Sequence, residues 1–139
     1  LLEGLVFAAR IGADLARSLP PQGEPADQDR TVVLLDPSTR QDLTRAMTDG
    51  AGVLRTAQSL AGTAKALAEL ENRTSSAPSP AAWEATGLHA VAAALVAAAA
   101  RREETRGTHW REDFPDVSDA WRGHLVTALQ GTSFRPVPA

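Results

Sequence analysis

The 139-residue chain contains no cysteine, so it can form no disulfide bond, thiolate zinc site or iron–sulfur ligation, and it has no thiol nucleophile. Aromatic residues are also scarce, with three Trp, three Phe and no Tyr. Much of the 43% hydrophobic content is alanine, which favours close-packed helices over a sheet built from β-branched and aromatic residues. The composition therefore predicts an all-α fold.

The chain also lacks a strong excess of charge of either sign. Its net charge of −3, with acids and bases interleaved, provides no basic surface of the kind that binds nucleic acid. The longest apolar run, residues 90–100, is too short to span a bilayer and is mostly alanine. We therefore expect no nucleic-acid partner and no membrane association. The lack of cysteine fits a cytoplasmic protein.

Motifs for metal binding and nucleophilic catalysis are missing too. His89, His109 and His124 are not spaced as metal ligands, and the chain has no G-x-S-x-G, S-x-x-K or Walker-type sequence. His89 lies on a long predicted helix, where a packed or hydrogen-bonded histidine is the more frequent case. We therefore predict no metal site and no catalytic residue of a known motif.

Apolar residues at helical spacing predict a small bundle. Residues 1–18 form an amphipathic helix that ends at Pro20 and Pro21, and a Pro- and acid-rich linker follows over residues 19–35. The linker finishes in an extended, buried segment, residues 31–35, for which we see no strand partner. Residues 36–139 then contain three main helices: one begins after Asp36-Pro37-Ser38, one covers about 57–72, and one runs from Ser79-Pro80 to about 104.

After this long central helix, Gly107 is a candidate C-cap. A short amphipathic helix is expected from Asp119, with Trp121, Leu125 and Leu129 on one face. The tail beyond it is expected to be irregular.

The segment EETRGTHWREDFP, residues 103–115, is far more polar than the alanine-rich sequence before it. In an extended segment His109, Arg111 and Asp113 point to one side, and Trp110, Glu112 and Phe114 to the other. Such an array is compatible with a catalytic His–Asp pair. It is equally compatible with an ion-pair and hydrogen-bond clasp that fixes the turn after the helix, for which planar arginine side chains are well suited.

The part ETRGTHWREDFP resembles the E-S-R-G-x-H-x-R-x-D-F/Y-P signature of a C-terminal helical domain. L-aspartate oxidases share this domain with the flavoprotein subunits of succinate dehydrogenase and fumarate reductase. Thr105 stands where that pattern has serine and retains a hydroxyl. The opening LLEGLVF resembles the same family's S-N-S-L-L-E-x-L-V-F/Y-G segment, with Ala8 in place of glycine, and the middle of the chain resembles its helical pair. The end of the chain is closer to the L-aspartate oxidase branch.

The resemblance implies a C-terminal fragment of an FAD enzyme that oxidises L-aspartate to iminoaspartate and passes electrons to oxygen or fumarate. Iminoaspartate would then go to quinolinate synthase in NAD biosynthesis. The resemblance places the FAD-binding and capping domains and the catalytic residues outside this sequence. It assigns residues 1–18 to the FAD-binding domain and residues 36–139 to the helical domain, which would be inactive alone.

One cofactor contact is implied by the resemblance. Leu1 matches the leucine at the start of a helix whose N-terminus faces the flavin, where it would act through its backbone. Arg106, His109, Arg111 and Asp113 are then expected to form an interdomain clasp. Two alternatives stay open: the same domain of a succinate dehydrogenase or fumarate reductase flavoprotein, and a free-standing helical interaction module.

Overall fold

The computed structural model describes residues 2–17, 19, 21, 23–24, 33–128 and 130–137. The chain divides into two compact units, Leu1–Thr31 and Val32–Ala139. In the first unit, helix α1 covers Leu2–Arg17 as the apolar periodicity predicts, and all its described residues are exposed. The assignment of residues 1–18 to an FAD-binding domain and of residues 19–35 to a linker stays a prediction, and Leu1 itself lies outside the described residues.

The second unit is a helical bundle, which confirms the predicted fold class. Helices α2 (Thr39–Ala51), α3 (Ala57–Leu70) and α4 (Pro80–Arg101) pack against one another. Their shared core contains small and branched side chains whose burial stabilises the bundle. The buried members of this core are Leu43, Ala51, Leu60, Leu67, Leu70, Ala92, Val96 and Ala99.

The helix starts follow local sequence signals. Thr56 and Ser59 form a reciprocal capping box at the start of α3, with both hydrogen bonds at 3.0 Å. The Ser79 hydroxyl accepts a hydrogen bond from the Ala82 amide at the start of α4, and Pro80 occupies the first turn, as predicted. Asp36 shapes the turn that leads into α2 by accepting the Ser38 amide at 2.8 Å.

Helix α4 ends earlier than expected. The last helical residue is Arg101, not residue 104, and Arg102 is already extended. Gly107 does not cap the helix; its φ of +59° serves the tight turn closed by Arg106 and His109. Helix α4 ends at Arg101 because side chains from later in the chain hydrogen-bond its last carbonyls, which is a tertiary contact.

Short ladders tie the bundle together. Strand β1 (Leu34–Leu35) pairs antiparallel with β3 (Thr74–Ser75), so the buried segment does have a strand partner, which the sequence did not reveal. Strand β2 (Leu54–Arg55) pairs in parallel with β4 (Trp110–Arg111). Each ladder joins segments far apart in sequence, and such pairing leaves no local signature.

The predicted short C-terminal helix is wrong. Residues Asp119–Trp121 form one 3₁₀ turn, and a hairpin follows from strands β5 (Gly123–Ala128) and β6 (Gly131–Pro136). Gly131, with φ of +123°, permits the hairpin turn, and Trp121 meets Phe134 edge-to-face with ring centroids 5.3 Å apart. Arg101 donates to the Thr132 carbonyl, so α4 also supports the hairpin. Leu129 lies outside the described residues.

Helix α4 has the length and composition of a membrane span, with a mean hydropathy of 1.3 over its most apolar window. The central helix of a globular bundle passes the same test, because it too is long and apolar. Six residues of α4 are buried against the rest of the bundle, namely Ala82, Ala85, His89, Ala92, Val96 and Ala99. We therefore interpret α4 as the core helix of the second unit.

His89 is packed and hydrogen-bonded, as predicted. The ring is buried in α4, and Nε2 lies 2.9 Å from the Leu67 carbonyl in the last turn of α3. A carbonyl in that position lacks a complete set of intrahelical partners, so the Nε2–H group satisfies it. His89 therefore joins α3 to α4.

Gly50 allows α2 and α3 to approach closely. A Cβ atom at this position would overlap the Thr63 hydroxyl and lie 3.0 Å from the Ser59 carbonyl oxygen. We expect Gly50→Ala to lower the free energy of unfolding by about 1–3 kcal/mol, because the helices must move apart. Urea unfolding of the chain measures this difference.

Gly62→Ala is the matched control, because Gly62 lies inside α3 and a methyl group added there would have nothing within 4 Å. The helix-propensity gain applies at both sites, so Gly62→Ala should stabilise the chain by about 0.5–1 kcal/mol. Equal effects of the two substitutions would contradict the close-approach role of Gly50.

Candidate functional site

The polar segment after α4 folds into a network that joins the end of α4 to the start of α3. Arg111 on β4 is 1% exposed and makes a two-pronged ion pair with Asp113, with Nε–Oδ1 and Nη2–Oδ2 distances of 2.8 Å. Nη1 of Arg111 donates to the carbonyls of Ala99, Ala100 and Arg102 at 3.1–3.2 Å. Arg111 therefore caps the C-terminus of α4 with a positive charge, the sign that the helix dipole favours there.

Asp113 caps the N-terminus of α3, just as Arg111 caps the C-terminus of α4. Its Oδ2 accepts the backbone amide of Ala57, the first residue of α3, at 2.8 Å. A carboxylate at a helix N-terminus is stabilised by the unpaired amides and the dipole. The hydrogen bonds from Arg111, followed by that from Ala57, hold the pKa of Asp113 well below its usual range. The Arg111–Asp113 pair thus connects two helix ends of opposite polarity.

The buried carboxylate of Glu104 organises the loop before β4. Glu104 is 0% exposed, and its oxygens accept from Arg106 Nε at 2.9 Å, Arg106 Nη2 at 3.1 Å and the Ser118 amide at 2.9 Å. Arg102 also donates to it and reaches the carbonyls of Trp121 and Gly123, where the hairpin begins. The hydrogen bonds from Arg106, then those from Ser118 and Arg102, lower the pKa of Glu104 from 4.5 to about 2.

His109 has both ring nitrogens occupied. Nε2 lies 3.1 Å from the Arg102 carbonyl, which accepts only, so Nε2 carries the proton. Nδ1 accepts from Arg55 Nη1 at 3.0 Å. Burial, followed by the nearby charges of Arg55, Arg111 and Arg102, lowers the pKa of His109, which keeps the ring neutral near pH 7.

The Thr105 hydroxyl is used as well. It accepts the Arg111 amide at 2.9 Å and lies 3.0 Å from the Phe114 carbonyl, to which it donates. Phe114 packs under the Arg111 guanidinium at 4.9 Å, although the alternating pattern predicts it on the opposite side. The alternation fails because β4 is only two residues long and the chain turns at once.

Within the described residues, the carboxylates and the histidine of this network are already engaged in hydrogen bonds. Its carboxylates are held ionised, and its histidine has neither a free lone pair nor a free N–H group. Within residues 33–128 and the other described ranges, every buried side-chain nitrogen and oxygen has a hydrogen-bond partner. The geometry favours the clasp interpretation over the catalytic His–Asp pair.

The four predicted clasp residues do meet, but inside one domain. Arg106 pairs with Glu104, Arg111 with Asp113, and His109 shares the Arg102 carbonyl with Arg111. Sequence reasoning missed Glu104 as a clasp member, although it is the first residue of the quoted signature. It also missed Arg55, which no local pattern connects to a segment more than fifty residues away. An interdomain role of the four residues stays a prediction.

The family described as fumarate reductase flavoprotein C-term matches residues 40–137, which include the whole bundle, the network and the hairpin. The chain belongs to this family. The chain is also similar to proteins named L-aspartate oxidase. This chain is 47% identical to the protein from Streptomyces coelicolor, and that match covers 93% of this chain. It is 36% identical to the protein from Rhodospirillum rubrum, and that match covers 99% of this chain. The match to the Caulobacter vibrioides enzyme is 38% identical over 83% of this chain.

The chain is much shorter than these relatives. The matched region makes up 26% of the Streptomyces protein, 49% of the Rhodospirillum protein and 20% of the Caulobacter protein. The described part of this flavoprotein-family domain shows no dinucleotide cradle. Two of its glycines, Gly50 and Gly123, make close protein contacts instead: an added Cβ would overlap the Thr63 hydroxyl at Gly50 and the Arg135 carbonyl at Gly123. No G-x-G-x-x-G sequence occurs in the chain, so a dinucleotide-binding loop would have to come from outside it, and the flavin contact of Leu1 stays a prediction.

Proposed function

We propose that the chain is the C-terminal helical part of an FAD-dependent L-aspartate oxidase. The observation that carries this proposal is the 47% identity to such an enzyme along 93% of the chain. The complete enzyme would oxidise L-aspartate to iminoaspartate, with two electrons going through FAD to oxygen or fumarate. Iminoaspartate would be passed to quinolinate synthase, and the reaction would take place in the cytoplasm.

The role proposed for this part is structural support of the FAD-binding and capping domains. The polar network supports it, because Glu104, Arg106, Arg111 and Asp113 fix helix ends and loops. Exposed apolar residues on α4 also support it, since Leu88, Val91 and Leu95 recur at helical spacing on an unburied face. Val53 and Trp110 add apolar surface near the network. A domain that packs against further protein is expected to expose such surface.

A second candidate is the same domain in a succinate dehydrogenase or fumarate reductase flavoprotein. It is favoured by the family description itself, which covers residues 40–137. A free-standing interaction module is the third possibility. The upstream coding sequence distinguishes the third possibility from the two enzymes. An in-frame dinucleotide-binding sequence upstream would support an enzyme, and a nearby start codon would support a module.

The decisive experiment assays the full-length protein after purification with FAD. L-aspartate should give hydrogen peroxide and iminoaspartate, whereas succinate should not. The 139-residue chain with added FAD should be inactive with both substrates. Oxidation of succinate without oxidation of L-aspartate would establish the second candidate, and activity of the short chain would refute the supporting role.

The supporting role makes a prediction for Arg106, whose guanidinium binds Glu104 and the Ser118 carbonyl. In the full-length enzyme, Arg106→Ala should lower the melting temperature or the FAD content more than the turnover of the FAD-loaded fraction. Arg122→Ala is the control, because the exposed Arg122 side chain makes no hydrogen bond within the described residues. A large loss of turnover with stability and FAD content intact would restore a catalytic interpretation.

A further inference from the structure

A cleft of about 320 Å³ lies between the last turns of α4, strand β5 and the β2–β4 ladder. Its floor is apolar and includes Leu95 and Leu125. Arg55, Arg102, His109 and His124 supply the polar part of its lining, and no aspartate or glutamate of the described residues lines it. The cleft therefore presents hydrogen-bond donors and positive charge above a hydrocarbon surface.

Arg55 is the cation of this cleft that has no carboxylate partner within the described residues. Its Nε donates to the Ala51 and Gly52 carbonyls at 3.2 and 2.8 Å, and its Nη1 donates to His109. Its Nη2 makes no hydrogen bond within the described part of the chain. A partly buried guanidinium held in place on one edge, with its other edge free, is well suited to bind a carboxylate.

The other lining groups make the cleft more selective for anions over cations. Arg102 is ion-paired with Glu104, which it shares with Arg106, and His109 is neutral with both ring nitrogens occupied. The His124 ring on β5 is exposed and has no hydrogen-bond partner within the described residues, so it can supply one further donor. An anion meets donors here, whereas a cation meets no lining acid.

We propose that this cleft binds a carboxylate carried on a short hydrocarbon chain, with the carboxylate between Arg55 and His124 and the chain on Leu95 and Leu125. The carboxylate has two possible sources: a free small molecule, or an acidic side chain from the rest of the full-length protein. The proposal does not depend on the proposed function, because it uses only the geometry of the second unit.

The first test titrates the 139-residue chain with butyrate and follows backbone amide shifts by NMR. We expect saturable shifts centred on Gly123, His124 and Leu125, which border the cleft. Butyramide has the same shape without the charge and should bind about tenfold or more weakly, given the strength of charge-assisted hydrogen bonds. Equal binding of butyramide, or no saturable shift with butyrate, would overturn the proposal.

Single substitutions test where butyrate binds. Arg55→Gln should weaken butyrate binding about tenfold or more, and His124→Phe should weaken it severalfold, because one donor is lost. His124→Phe changes an exposed ring and is expected to fold even if Arg55→Gln does not. Arg45→Gln is the matched control, since Arg45 is exposed on α2 and lies outside the cleft lining. Butyrate binding that is unchanged in His124→Phe and in folded Arg55→Gln would refute the assignment.

The same titration on the full-length protein distinguishes the two sources. Saturable butyrate binding there indicates a site open to a free small carboxylate. Binding in the 139-residue chain that is lost in the full-length protein indicates that an acidic side chain of the remainder occupies the cleft. Both results support a carboxylate site, whereas absence of binding in both proteins contradicts it.

Discussion

Replacing Glu104 with Gln is expected to lower the free energy of unfolding by about 3 kcal/mol, since a buried ion pair loses one partner. The substitution preserves the side-chain volume, so the loss does not come from a cavity. It places an amide NH₂ group against the guanidinium groups of Arg102 and Arg106, which can only donate. Urea unfolding of the 139-residue chain, followed by circular dichroism, measures the difference.

The effect of Glu104 should depend on pH with a definite sign. Its pKa is about 2 in the folded chain, below the ordinary value of 4.5, so the folded state favours the ionised form. The corresponding stability is fully present above about pH 4.5 and is lost as the pH falls toward 2. The unfolding free energy of the parent should therefore fall more steeply over this range than that of Glu104→Gln.

Glu103→Gln is the control for both measurements. Glu103 is the exposed neighbour of Glu104, and its substitution removes the same charge from the same loop. We expect a change within about 0.5 kcal/mol, as for most surface substitutions. Equal effects at the two positions would show that net charge, rather than the buried network, determines the stability.

The second large change in the free energy of unfolding is expected when Arg111 is replaced. Arg111→Met keeps much of the side-chain volume but leaves the Asp113 carboxylate and the last carbonyls of α4 without their partner. We expect a loss of about 2–3 kcal/mol, because the carbonyls at the end of α4 lose a buried donor, whereas the Asp113 side chain is 28% exposed and stays partly solvated. Arg111→Lys should recover part of this loss, because lysine restores the charge but not the two-pronged hydrogen bonding.

A double-mutant cycle tests whether the effect belongs to the pair. Asp113→Asn combined with Arg111→Met should cost less than the sum of the two single changes, because neither partner is then left charged alone. Arg45→Met, at an exposed position of α2, is the control and should be close to neutral. Additive effects of the two pair substitutions would contradict direct coupling between Arg111 and Asp113.

Local chemistry explains which parts of the fold could be predicted. The starts of α3 and α4 depend on Thr56, Ser59 and Ser79, whose side chains bond backbone groups three residues away. The buried faces of the helices follow from apolar residues at helical spacing. Arg106, His109, Arg111 and Asp113 were found because they are crowded into thirteen positions of one segment, whereas Glu104 of the same segment was missed.

Non-local contacts explain what could not be predicted. The spacing of Trp121 and Leu125 suits a helix, yet Trp121 ends a 3₁₀ turn and Leu125 lies in a hairpin. Arg101 and Arg102, at the end of α4, donate to carbonyls of this turn and hairpin. Such tertiary bonds outweigh the small differences in local preference between helix and strand. The β2–β4 ladder likewise depends on segments more than fifty residues apart.

The sequence by itself determined the helical class of this protein, its lack of thiol chemistry and the signature that connects it to a flavoprotein family. Each depends on residue type and short spacing, which are visible along the chain. Only the tertiary structure decided what the charges do. Glu104 and Arg111 are buried because other segments fold over them, and their ion pairs fix helix ends and loops. The strength and role of a charge depend on its surroundings, and those surroundings exist only in the folded chain.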